Sequence, residues 1–201
     1  MTSGAFGRSV SRPREQADLP IEFAEAVRSL RCAAVRAEVR VAEIRPPQRL
    51  APWSHAVSLD VRPGAVEAAT GRLVLLHDPA GSETWDGTLR LVGFGTADVD
   101  PDMAGDPLLP EVGWSWLLDA LADQGAAYTA AGGTVTQTAS TRFGDIVGPR
   151  RACELELRAS WTPLGLDLSG HLRAWAELLC MVAGLPPPGV AVLPAHGPGR
   201  P

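Results

Sequence analysis

Apolar residues change period several times along the chain, and each change marks an element. Phe23, Val27 and Leu30 recur at helical spacing behind Asp18, Pro20 and Glu22. That predicts a helix capped by Asp18 with the other two in its first turn. From Ala37 the period drops to two, with Val39 and Val41 on one side and Glu38 and Arg40 on the other, until Arg45-Pro46-Pro47 ends the strand. A loop to about Ser54 leads into a second alternation through Val57, Leu59 and Val61, closed by the turn at Arg62-Pro63-Gly64. The run Arg72 to Leu76 is almost continuously apolar, which predicts a central strand covered on both faces. Thr88 to Thr96 reads as a further strand whose Gly93 and Gly95 mark a bulge or close packing.

Between these last two lies His77 to Gly87, a polar connection with two turn signals and the large aromatic Trp85. Residues 106 to 121 combine a proline-marked entry with the densest aromatic segment of the chain. Pro107 stiffens the approach, Pro110 suits a first helical turn, and Glu111 lies near the positive end of the helix dipole. Trp116, Leu117, Ala120 and Leu121 then form a face to pack on a sheet.

Gly132-Gly133 opens a Thr-rich strand, Thr134 to Phe143, and Cys153, Leu155, Leu157, Ala159 and Trp161 alternate with Glu154, Glu156 and Arg158 in the next. The last helix runs from about Leu168 to Ala183 on a stripe of Leu168, Leu172, Trp175, Leu179 and Val182, and stops at Gly184 before Pro186. Runs of strands separated by single helices predict an α+β fold. The expected architecture is one antiparallel or mixed sheet of about five to six strands with about three helices mainly on one face. A single domain is expected over residues 18–185, between a disordered segment 1–17 and a Pro/Gly-rich tail 186–201.

Composition narrows the chemistry. All 18 basic residues are arginine, so the chain offers no lysine for a Schiff base, a Walker A loop or a kinase-type ATP site. A net charge of −5 argues against direct nucleic-acid binding. Cys32, Cys153 and Cys180 are few and widely spaced, which argues against a disulfide framework or a zinc site. Met1 to Gln16 lacks the apolar core of a signal peptide, and no apolar stretch is long enough to span a membrane. These readings place the chain in the cytoplasm.

Three motifs approach known chemistry and fall short. Gly113-Trp114-Ser115-Trp116-Leu117 lacks the second glycine of a nucleophile elbow and no strand precedes it, so Ser115 reads as a small helical residue. Asp98, Asp100, Asp102 and Asp106 have the two-residue spacing of a calcium loop, but Met103 and Leu109 replace its essential Gly and Glu. Gly93-Phe94-Gly95 begins a dinucleotide fingerprint that Asp98 breaks. His77-Asp78, with Glu83 and Asp86, could pair a base with an orienting carboxylate at a strand end, against the simpler reading of a turn at Asp78-Pro79 beside an edge histidine. Trp161 and Trp175 fall on core faces, whereas Trp85 and one of Trp114 and Trp116 are free to serve a binding surface.

The strings RLVLLHDPAG from Arg72, TWDGT from Thr84, DPLLPEVGWSWL from Asp106, ASWTPLG from Ala159 and AWAELLC from Ala174 resemble the signature segments of an uncharacterised actinobacterial family, the domain of unknown function three thousand. The resemblance covers about Ile21 to Pro187. It implies kinship without an activity, a cofactor or a site residue.

The residues therefore point first to a non-catalytic binding or protein-interaction domain with another protein as partner and a surface drawn from His77, Asp78, Trp85, Asp86, Asp106, Glu111 and Trp114. No cofactor, metal or membrane is expected, and the oligomeric state is open. One alternative is a metal-independent or weakly metal-assisted enzyme using His77, Asp78, Asp86 or Glu111. Another is a small-ligand binder with its cavity between the sheet and the Trp-rich helix.

Overall fold

The period-two segments of the chain join into one six-stranded antiparallel sheet, and the helical segments all pack on one of its faces. The structure, a computed structural model, describes residues 19–64, 67–100, 103, 105–148, 151–188 and 190. The expected segment 1–17, the Asp18 cap and the tail from residue 191 onward lie outside them. The elements in chain order are α1 (Ile21–Cys32), β1 (Val39–Ile44), β2 (Trp53–Val61), β3 (Ala69–Ser82), β4 (Gly87–Val99), α2 (Leu109–Asp123), β5 (Tyr128–Thr141), β6 (Arg151–Pro163) and α3 (Ser169–Val182). The strands lie in the order β1-β2-β3-β4-β6-β5, so α2 carries the chain past the place of β6 to the far edge, and β6 returns into the gap. This is the expected α+β class. No described helix is long and apolar enough to cross a membrane.

Side chains alternate across a strand. The odd-numbered positions of β2, β4 and β6, among them Leu59, Leu91, Leu155, Leu157 and Trp161, face the helices and are buried. The stripe on α3 meets them, with Leu172, Trp175 and Leu179 at 1 % exposure or less. Helix α3 is buried on nearly every side because α1 and α2 flank it while β3 and β4 lie beneath. It ends in a Schellman arrangement: the Leu185 amide donates to the Cys180 carbonyl and Gly184, at φ 74°, donates to Met181.

Close approach, rather than a bulge, explains the glycines of β4. A Cβ on Gly93 would stand 2.6 Å from Trp175 Cη2, and one on Gly95 would stand 2.6 Å from Leu179 Cδ2. The absent side chains let α3 rest directly on the strand backbone.

Four local expectations change. The N-cap of α1 is Pro20, with no side-chain cap, so Pro20 precedes the first turn instead of entering it. Strand β3 does not end at Leu76: it runs on to Ser82, with a register shift between His77 and Ser82 that accommodates Asp78-Pro79. Strand β5 starts at Tyr128, four residues before the glycines, through an irregularity at Ala130 with φ 49°. Trp116 sits at the flank of the α2 contact face and is half-buried, while Leu109, Gly113, Leu117, Ala120 and Leu121 make that face.

Candidate binding surface

The helix-free face of the sheet carries the even-numbered residues, and the strand register sets them in rows. One row runs Ala56, Val74, Val92, Ser160 and Gly132. The next runs Ser58, Arg72, Phe94, Arg158 and Thr134. The first row is small or apolar and forms a floor, since Gly132 contributes no side chain. A shallow groove of about 530 Å³ lies along its β4, β6 and β5 portion, lined by Val92, Phe94, Ser160, Arg158, Thr134 and the glycines.

Phe94 stands between two guanidinium groups: Arg72 Cζ lies 5.2 Å from the ring centroid and Arg158 Cζ 5.4 Å. Both are close enough for cation–π attraction. Arg158 also donates to Glu156 at 2.8 Å, which raises its pKa, whereas Arg72 has no carboxylate partner among the described residues. Arg90, at the opposite rim, donates to the Ala130 carbonyl at 2.8 Å, to Ser160 Oγ at 2.7 Å and to Thr162 Oγ1 at 3.1 Å. Partial burial lowers the Arg90 pKa, and every acceptor it has found is neutral. Toward the other end of the strands the same face turns acidic, with Asp60, Asp98, Glu154 and Glu156, and with Arg40 opposite Asp60 at the β1 edge.

Part of the face is already covered. Ala56, Val74 and Leu76 form a small second core under Ala51, Val92 and Trp85. Trp85 is delivered by the β3–β4 hairpin, whose tip is tied down: Thr162 Oγ1 donates to the Trp85 carbonyl and Thr129 Oγ1 donates to Asp86 Oδ2 at 3.3 Å.

The structure separates the residues singled out from sequence. Asp78, Trp85 and Asp86 belong to this hairpin. Asp78 accepts the Ala80 amide at 3.0 Å, which is the turn role, and half-buried Trp85 and exposed Asp86 border the open face. His77 is a core residue: it is 1 % exposed, stacks on Phe23 with centroids 5.9 Å apart, and pairs Nδ1 with the Thr88 carbonyl at 3.1 Å. Its neighbour Asp78 is on the other side of the strand, so the two do not form a base and an orienting acid. Asp106, Glu111 and Trp114 sit with α2 in the helical layer. Asp106 accepts the Leu108 amide at 2.8 Å, and Glu111 is exposed in the first turn. Trp114 covers Gly133, where a Cβ would stand 2.8 Å from its ring. Trp85 and Trp114 therefore flank opposite faces of the sheet.

The expected cavity beneath the Trp-rich helix meets direct packing: a Cβ on Gly113 would lie 3.4 Å from Leu155 and 3.6 Å from Val135. A separate notch of about 330 Å³ opens where the α2–β5 and β6–α3 connections meet, lined by Gln124, Leu164, Asp167 and Arg173 among others. Arg173 is held there by Gln124 Oε1 at 2.8 Å. Below it, His171 Nδ1 accepts the Trp161 indole N–H at 3.1 Å, and burial holds His171 near pKa 4. Among the described residues no group of three or more His, Cys, Asp or Glu side chains could hold a metal ion.

The residues that sequence reasoning missed are Arg72, Arg90, Phe94, Arg158 and Ser160. The available signal was three arginines at even positions of apolar strands. Only the pairing of β3, β4 and β6 places two of them, Arg72 and Arg158, around one ring.

Neither a curated protein nor a solved structure gives a significant match to the chain. A family model does match, over residues 19–191, from the start of the first helix to just beyond the last. The resemblance carried by the Arg72, Thr84, Asp106, Ala159 and Ala174 strings is thereby shown, and the chain belongs to the family described as Protein of unknown function (DUF3000).

Proposed function

We propose that the protein is a non-catalytic binding domain that receives a segment of another protein in the groove on the open face of its sheet. The observation that carries this reading is the Phe94 ring held between Arg72 and Arg158, above a floor of small residues, with the half-buried Arg90 on the facing rim. A partly buried guanidinium with only neutral acceptors favours a carboxylate supplied from outside. The acidic end of the same face, Asp98, Glu154 and Glu156, favours basic groups further along the same segment. Charges of both signs in separate rows complement a polypeptide, whereas a polyanionic nucleic acid would be repelled by half of the surface. A cytoplasmic location belongs to this reading, supported by three unpaired cysteines, two of them buried.

Selection from a random-peptide display library on the full chain is expected to enrich peptides with Asp or Glu set among apolar residues. The double variant Arg72→Glu/Arg158→Glu is expected to bind those peptides about 100-fold more weakly, as like-charge contacts replace two attractions. A control, Glu111→Arg on α2, is expected to bind as the parent does. Equal binding by the double variant, or enrichment of basic peptides at the same site, would remove the reading.

A further inference from the structure

The two edges of the sheet are built differently. Strand β1 has six residues, carries Arg40 and Glu43, and is followed by Arg45-Pro46-Pro47. These are the devices that stop an edge from pairing with another strand. Strand β5 has 14 residues, Tyr128 to Thr141, with no charged residue and no proline. It pairs only with β6 among the described residues, so its outer backbone groups are presented as a template. Its one irregularity, between Thr129 and Gly132, is confined to its start, and the stretch from Gly132 to Thr141 keeps unbroken register with β6.

We propose that β5 is a self-association edge, which pairs antiparallel with β5 of a second copy of this chain and extends the sheet across a two-fold axis. The occupant follows from the strand itself. In an isologous contact every residue meets its own kind or its mirror position, so any charge on the strand risks facing a like charge. β5 carries none. A pairing centred on Thr136 sets Thr134 opposite Thr138 of the second copy on the open face, and cross-strand Thr–Thr pairs are favourable. On the helical face it sets Val135 opposite Gln137, which keeps the one half-buried apolar residue of the straight segment within the new interface. Phe143, Ile146 and Val147, all exposed, follow the strand end and would lie beside the start of β5 in the second copy, where Tyr128 and Ala130 are. An unrelated partner strand is not selected by any of these features. The inference stands on the edge alone and does not depend on a ligand in the arginine groove.

Sedimentation velocity on the full chain, from low micromolar to about 0.5 mM, tests it. The expected result is a concentration-dependent species of twice the 21.2 kDa chain mass. Thr136→Lys, which brings two ammonium groups together at the axis, is expected to weaken that association at least ~100-fold. Ser58→Lys, on β2 of the same open face, is expected to leave it unchanged. Hydrogen exchange on the unsubstituted chain supplies a readout that needs no variant: amides of residues 134–140 on the outer side of β5 should gain protection as concentration rises through the transition. A monomer at every concentration, a dimer equally stable in the Thr136→Lys variant, or a dimer without added protection in β5 would each overturn the proposal.

Discussion

Replacing Gly93 by valine is expected to destabilise the domain by about 3 kcal/mol, measured by urea unfolding. A Cβ at this position would lie 2.6 to 2.7 Å from three atoms of the Trp175 six-membered ring. The ring has no room to retreat. Trp175 is fully buried against Trp161, with centroids 5.9 Å apart, and the next turn of α3 seats Leu179 on Gly71 and Gly95. Relief would require lifting α3 off the sheet, which would open the buried contact of Trp175 and Leu179 with β3 and β4. Trp175→Leu vacates the same space from the other side and is expected to cost about 2–4 kcal/mol as a cavity. Together the two substitutions should cost at least ~1 kcal/mol less than their sum, in the lower range of coupling for residues in contact. Strict additivity would mean that the ring does not set the distance between α3 and β4.

The second large effect is a dependence of stability on pH that resides in His171. Buried beneath the α3 entry and accepting the Trp161 indole proton, its imidazole has a pKa lowered from 6.5 to about 4. Burial is the dominant cause, and Asp167 acts in the opposite direction. In the unfolded chain the ring takes up its proton near pH 6.5, whereas in the folded chain it does so only near pH 4. Between these values the unfolded state binds the extra proton, so stability falls as pH falls from about 6.5 to about 4 and this contribution levels off below. A shift of this size corresponds to roughly 3 kcal/mol across the window. His55, half-buried, shifts in the same direction and adds to the slope. His171→Gln keeps an acceptor for Trp161 without the titration, and its stability should lose most of this slope between about pH 6.5 and about 4, leaving the part that His55 supplies. A slope undiminished in that variant would assign the effect elsewhere.

Much of the fold is legible in the sequence because its signals are local. The stripes at Phe23, Val27, Leu30 and at Leu172, Trp175, Leu179 require no knowledge of partners, nor does the alternation from Cys153 to Trp161. Local reading fails where a tertiary contact overrides it. Asp78-Pro79-Ala80-Gly81 has the composition of a turn, yet a register shift holds it inside β3. His77 reads as a strand end because the ring that covers it, Phe23, comes from the first helix. The surface is less legible than the core for the same reason. Trp85 does lie outside the main core, but Arg72, Phe94 and Arg158 are neighbours only through the β3, β4 and β6 register. Trp85 and Trp114 look equivalent along the chain, and the sheet lies between them.

The most direct test of the binding face is NMR of the unsubstituted protein titrated with a peptide selected on it. The Nε–H signals of Arg72, Arg90 and Arg158 and the Trp85 indole should shift together with the amides of 92–94, 132–134 and 158–160, while Trp114 and the amides of α2 stay still. Shifts centred on Trp114 and Glu111, with the three arginines unmoved, would contradict the account.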